Sequence, residues 1–386
     1  MFIVENPYTS DFFKETLEKK QYPVLLNNAA KEMLKDSNLN YIIEQSAIEN
    51  LKKSENPKLY CNSENALEWI CKNLKDTNLP SKISLFKDKL KFREIISKIC
   101  PDFYFKEVNL QELQNLNSEN IKFPFVLKPS IGFLSFGVYM IYDENDLNAV
   151  KKNIVSDIEK IKEIYPLEVV DMSTFIIEEM INGEEYAVDA YYDENGEPVI
   201  LNIYKHPFSS EKDVSDRIYF TSKGILKEYL TKFTDILQKI GNAANLKNFP
   251  IHIEMRVNKD NIIPIELNPM RFAGWCMTDI AYYAWNINVY EYYFNQKKPD
   301  WTNILKNTDD SIFYVMFSDI PKDMDKSHIS EINYDDLIKN ISNPIEIRKI
   351  DYKQHPIYAI VFAKTKEEKE INDILNLDIY QYIKVQ

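Results

Sequence analysis

Glycine is scarce in this chain: seven residues in 386, and none before Gly132. An ordinary protein holds about 7% glycine. The first 85 residues therefore offer no glycine-rich phosphate turn, which argues against a dinucleotide-binding fingerprint there. No Gly-Lys-Ser/Thr opens a helix anywhere, so a Walker motif is excluded too. Cysteine is also rare. Cys61, Cys71, Cys100 and Cys276 show neither disulfide-framework nor zinc spacing, which fits a reducing compartment. No run of about 18 apolar residues exists, so a transmembrane span is excluded. The opening Met1-Phe-Ile-Val-Glu-Asn-Pro7 turns acidic early and lacks a long apolar core, so no signal peptide is expected. Positive charge is short as well: 47 Lys+Arg against 60 Asp+Glu give a net charge of −13, the opposite of a nucleic-acid footprint.

Apolar residues make up 45% and aromatics 13%, with 25 Tyr and 21 Phe, so the chain is globular. Its length suits two or three domains. Residues 1–85 alternate short apolar runs (Ile3-Val4, Tyr22 to Leu26) with helical patterns such as Ala66 to Leu74, predicting a small α/β domain with a parallel sheet. A basic helix is expected from Ser84 to about Lys98. Next, the strand Phe125 to Leu127 delivers Lys128 into a loop of small residues, Pro129, Ser130, Gly132, Ser135 and Gly137, before a second strand from Val138 to Ile141. Backbone N–H groups of such a loop can lie over phosphates while the lysine supplies a point charge. A plain hairpin is the competing reading. A helix follows from Asp143 to about Ile164. Phe175 to Tyr191 is a strand, an acidic connection around Glu178, Glu179 and Gly183, and a longer strand. A polar loop is expected from Tyr204 to Thr221, carrying Lys205, His206, Asp216 and Arg217, then a helix from Glu228 to about Leu246.

The densest chemistry lies in Ile251-His-Ile-Glu-Met-Arg-Val257 and Ile262-Ile-Pro-Ile-Glu-Leu-Asn268. Both arms alternate apolar and polar residues, the period of a half-buried strand. A hairpin with Lys259-Asp260-Asn261 as a three-residue loop would set Glu254 opposite Glu266 and His252 opposite Asn268. Facing carboxylates start roughly 5 Å apart at Cβ and repel. With Asn268 beside them they call for a hard cation such as Mg²⁺; the alternative is a solvated strand face. A turn from Pro269 to Trp275, a Tyr-rich helix from Thr278 to Phe294, and a closing α/β unit with strands at 312–316 and 357–362 complete the chain.

In order and spacing, five of these segments resemble the ATP-grasp family of ATP-dependent carboxylate ligases over roughly residues 84–297. Phe86-Lys-Asp-Lys89 resembles the family's leading Asp-Lys, which implies that Lys89 contacts ATP phosphate. Phe125 to Lys128, with Gly132, Ser135 and Gly137, resembles the lid strand and flap, making Lys128 the second phosphate lysine and Ser135 to Gly137 the cover. Glu178, Glu179 and Ile181 resemble the adenine hinge, and Glu185 the ribose contact. Glu254, Glu266 and Asn268 match the metal ligands. Arg271 falls near the arginine that steadies the transferring phosphate or the carboxylate, although many relatives carry it where Met270 stands. With Arg256 it would hold the carboxylate in forked geometry. Arg-Phe-Ala-Gly274 is similar to the family's amino-acid ligases.

The resemblance implies an α/β (α+β) ATP-grasp fold: an N-terminal α/β domain (1–85), an ATP-grasp domain (86–299) with a lid subdomain at about 120–185, and a C-terminal α/β subdomain (300–386). It implies a cytoplasmic carboxylate–amine ligase that uses ATP and Mg²⁺ (or Mn²⁺) and forms an amide through an acylphosphate. Its partners would be small-molecule carboxylate and amine substrates, an amino acid or a small carboxylated metabolite, with no nucleic acid and no membrane. Dimers are frequent in the family, which leaves a homodimer open. The alternatives are a kinase- or carboxylase-type phosphotransferase of the same fold and a non-catalytic nucleotide-binding regulator. The 204–217 loop and Trp275 are expected to contact substrate, while His206 and His252 lie near the expected site as structural partners rather than bases.

Overall fold

The computed structural model describes residues 1–35, 37–117, 121–130, 137–164, 174–210, 213, 215–321 and 323–386. Four strands come first: β1 (Phe2–Ile3), β2 (Pro23–Leu25), β3 (Asn40–Ile42) and β4 (Tyr60–Cys61). They form a parallel sheet in the order β3-β2-β1-β4, joined through helices as parallel strands require, with β1 and β4 buried and the edge strand β3 partly exposed. The basic helix expected after Ser84 is two helices, Leu79–Lys87 and Lys89–Ile96. Asp88 divides them, because its carboxylate accepts from the amides of Leu90 and Lys91 and caps the second helix.

The lid sheet is antiparallel, with β5 (Phe105–Asn109), β6 (Phe125–Pro129), β7 (Tyr139–Ile141) and β8 (Thr174–Glu179) in the order β5-β8-β6-β7. Strand alternation sends Phe125, Leu127, Ile141, Phe175 and Ile177 into the lid's own core. Val126, Lys128, Met140 and Glu178 are left on the opposite face, with Val126 beside both Met140 and Glu178.

The remaining strands are β9 (Glu184–Tyr192), β10 (Pro198–His206), β11 (Ile218–Ser222), β12 (Phe249–Asn258), β13 (Asn261–Pro269), β14 (Ile312–Asp319), β15 (Ile329–Ile332), β16 (Pro344–Lys349), β17 (Ile357–Thr365) and β18 (Ile383–Val385). Eight of them make one antiparallel sheet, β13-β12-β9-β10-β11-β14-β17-β16, while β15 pairs with β18. The polar loop expected from Tyr204 shortens, since Tyr204, Lys205 and His206 belong to β10 and pair with β9. Ser222 caps the helix Lys223–Ala244, which therefore starts earlier than its apolar pattern suggested. The Tyr-rich helix is interrupted: Ile280–Trp285 ends at Asn286, whose φ of 56° is left-handed, and Val289–Phe294 restarts beyond it.

One apolar core runs from the N-terminal sheet into the large sheet and the Tyr-rich helices, and includes Phe2, Tyr60, Phe272, Tyr290 and Tyr293. A separate core lies under β14 and β17. Among the described residues, no helix is long and apolar enough to cross a membrane.

Candidate functional site

The hairpin of β12 and β13 sits at the edge of the large sheet. Its loop is two residues, Lys259 and Asp260, because Asn258 pairs with Asn261, and Lys259 takes the left-handed φ of 57°. The expected three-residue loop is thus corrected. A two-residue loop alone would place Glu254 opposite Ile265. A bulge changes the count: the register steps from Met255↔Pro264 to Glu254↔Glu266, leaving Ile265 as the extra residue. Glu254 therefore faces Glu266, and His252 faces Asn268, through a different local route.

The electrostatics follow from that rung. Burial raises the Glu254 pKa well above the ordinary glutamate value, and the neighbouring charges of Glu266, Glu185 and Asp216 raise it further, while Arg271 opposes them. Two apposed carboxylates with an asparagine two rungs along the same ladder form a donor set of hard oxygens, which fits Mg²⁺ or Mn²⁺. Among the described residues no three His, Cys, Asp or Glu side chains gather as a metal cluster.

His252 is buried, and its Nδ1 lies 2.8 Å from Asp189 Oδ1. Asp189 also accepts from the Tyr204 hydroxyl (2.6 Å) and the Ala273 amide (2.8 Å), so one fully buried carboxylate orients the imidazole and pins the turn after β13. Nε2 of His252 is 3.8 Å from Glu254 Oε1. Asp189 was missed by sequence reasoning; the available signal was a charge inside the apolar run Ala187-Val-Asp-Ala-Tyr191.

From the lid, Lys128 reaches Glu178 at 2.8 Å. Glu178 is gripped from the other side by Arg93, whose Nε donates to Oε1 at 2.7 Å. Burial alone would raise the Glu178 pKa, but the charges of Lys128 and Arg93 bring it down to about 2. Burial lowers the Lys128 pKa more than Glu178 raises it, and the nearby charges of Arg93 and Lys89 lower it further. Lys89 and Lys128 are thus within electrostatic reach, and the Lys89 amide donates to Ser130 O at 2.9 Å. Glu179 receives the Tyr104 amide at 3.0 Å. Gly137 adopts a φ of 73°, and Ser135 lies outside the described residues.

Arg256 and Arg271 pair with different carboxylates. Arg256 forks onto Glu185 (Nη2 at 3.0 Å, Nε at 3.2 Å), donates to Ile181 O and covers the Phe208 ring. Glu185 also meets His206 at 2.9 Å, and His206 stacks on Tyr219. Arg271 instead reaches into the N-terminal unit, where Glu64 accepts from it at 2.9 Å and from Lys87 at 2.6 Å. The Arg271 pKa is lowered by burial but raised overall by Glu64, Glu254 and Glu266, so this arginine sits in the field of the apposed pair. Nothing in the sequence around Glu64 signalled this contact. Trp275, φ 56°, stacks on Tyr8 and meets His355 edge-on.

Residues 121–279 match the family model of the ATP-grasp domain. No curated protein matches the chain by sequence. Among solved structures, the chain is similar to the L-amino acid ligase from Bacillus licheniformis, with a TM-score of 0.68 at 16% identity, covering 100% of this chain and 98% of that one. It is also similar to the N5-carboxyaminoimidazole ribonucleotide synthetase from Thermotoga maritima (TM-score 0.62, 16% identity, 100% and 98% covered). The biotin carboxylase–β,γ-ATP complex from Campylobacter jejuni gives a TM-score of 0.64 at 12% identity, with 100% and 91% covered. At these identities the likeness concerns the fold.

Proposed function

The chain carries an ATP-grasp domain, and from that premise we propose that it is an ATP-dependent carboxylate–amine ligase acting on an amino acid or a small carboxylated metabolite. The observation that carries the reading is the rung Glu254↔Glu266, which lies in the field of Arg271; the lid's Lys128, paired with Glu178 and in the field of Lys89, supports it. Glu254, Glu266 and Asn268 would hold Mg²⁺ (or Mn²⁺), whose chemistry is charge neutralisation on the phosphates.

Lys89 and Lys128 supply further positive charge on the lid side, where phosphoryl transfer asks the protein mainly for positioning and electrostatics. The apolar Val126 and Met140, which share the face of Lys128, suit a purine ring, with Glu178 to Ile181 as the hinge and Glu185 beside it. An acid oxygen bonds to the γ-phosphorus while the β–γ bridging bond breaks and ADP leaves. An amine then attacks the acyl carbon, phosphate departs, and the amine proton passes to solvent or phosphate. Arg271 would hold the acid or the phosphate it acquires, and Trp275 with Tyr8 and His355 suits the substrate's apolar part. The four free cysteines agree with a cytosolic location.

ADP and phosphate release across amino acids and small acids, with and without a second amine, tests this. Amide plus phosphate supports the ligase. A phosphorylated or carboxylated product, or nucleotide binding without turnover, rejects it. Glu266→Gln is expected to lower turnover at least 100-fold, and full activity in that variant would overturn the metal assignment.

A further inference from the structure

Arg93 stands outside every role assigned so far, yet it is 1% exposed and lies between the two halves of the site. A guanidinium offers five N–H groups in a rigid fork. Here Nε and Nη2 donate to the two oxygens of Glu178, at 2.7 and 3.2 Å. Nη1 donates to Pro264 O, and Nη2 also donates to Ile265 O at 3.1 Å. Pro264 and Ile265 are the bulge residues of β13, an edge strand whose outward carbonyls find no partner strand. Phe103 and Phe92 lie against the same guanidinium, at 4.8 and 5.6 Å.

We propose that Arg93 is a positioning residue that fastens the Lys128–Glu178 pair of the lid to the bulge of the metal-binding hairpin, and so sets both halves of the phosphate site together. This rests on the ligase reading for the meaning of those halves. The physical step is short. Glu266 faces Glu254 only because Ile265 bulges, and Arg93 satisfies the carbonyls on both sides of that bulge. The same fork holds the carboxylate that orients the Lys128 ammonium. A lysine at this position offers one compact head that cannot serve a carboxylate and two carbonyls in a fixed plane.

Arg93→Lys is therefore compared with the unmodified protein by amide hydrogen exchange without ligand, and by calorimetric titration of ADP over a series of Mg²⁺ concentrations. Exchange is expected to accelerate in 262–268 and 176–179 and not in β14 or β17. The Mg²⁺ half-saturation for ADP binding should rise about tenfold, as for other residues that orient metal ligands. Unchanged exchange in both segments, or an unchanged Mg²⁺ dependence, overturns the proposal. Should Arg93→Lys not fold, Glu178→Gln decides. It weakens the carboxylate that anchors the Arg93 fork, so ADP affinity should fall about tenfold and exchange should accelerate in 262–268 as well as in 176–179; disturbance confined to 176–179, or of neither segment, refutes the linkage. Failure of the unmodified protein to bind ADP with Mg²⁺ counts against the ligase reading alone, because the exchange data still judge Arg93.

Discussion

Glu254 and Glu266 oppose each other on neighbouring strands, and the field of Arg271 only partly offsets an arrangement that works against folding. Burial and the facing Glu266 charge, with Glu185 and Asp216 behind it, push the Glu254 carboxyl well above its ordinary range. Like charges directly opposed on neighbouring strands cost up to about 1 kcal/mol. Removing one charge while keeping the shape should therefore relieve strain where the same charge serves binding, a trade common at functional sites. Glu266→Gln, measured in chelator, is expected to raise the melting temperature by roughly 2 °C and to lose Mg²⁺-dependent ADP binding. A variant that melts lower than the parent, or keeps that binding, would show that the rung is an ordinary strand face.

At the scale of elements, the turn between β8 and β9 hangs on Gly183. Its φ of +120° is a conformation that side chains rarely adopt, and a Cβ there would stand 2.2 Å from Val257 O. The obstacle is backbone of β12, the strand carrying Glu254, so it cannot step aside. Gly183→Ala is expected to cost more than about 2 kcal/mol of stability, or to splay the lid hinge from the hairpin; denaturant unfolding at a parental midpoint would contradict this. The hinge, the hairpin and the Lys128 strand were legible in the sequence because alternation and a sparing use of glycine mark them locally. The Glu254–Glu266 rung was legible too, though for the wrong reason: a bulge at Ile265 made up for the misjudged loop, and a bulge leaves no periodic trace. Gly241 escaped notice because its cause lies elsewhere in the chain, the Tyr192 ring that a Cβ would meet at 2.3 Å. Arg93 read as part of a solvated basic helix, since only tertiary packing supplies Glu178 and the bulge carbonyls. The Glu64–Arg271 contact, 207 residues apart in sequence, was illegible on the same ground.

That distant contact joins units of the whole molecule. The N-terminal sheet shares an apolar core with the large sheet, and the Cys61 amide donates to Met270 O at 2.8 Å in the turn after the hairpin. Glu64 adds charge to the same seam. Burial alone would raise its pKa, but Arg271 and then Lys87 draw it down to about 2 from an ordinary 4.5. A carboxylate depressed in the folded state contributes stability that is complete above its unfolded pKa and lost as pH falls through its folded one. Glu254 and Asp279, both raised, run in the opposite direction, so the acid limb of the parent alone would mix signs. The difference between the parent and Glu64→Gln cancels those groups. The variant is expected to be less stable at neutral pH, with a deficit that holds down to about pH 4.5 and closes toward pH 2, because the protonated Glu64 and the glutamine are then equally uncharged. Urea midpoints at intervals from pH 7 to pH 2 read this directly. A deficit that stays constant across that range would mean that Glu64 holds the seam by shape and hydrogen bonding, and that its charge opposite Arg271 contributes nothing to joining the N-terminal unit to the site.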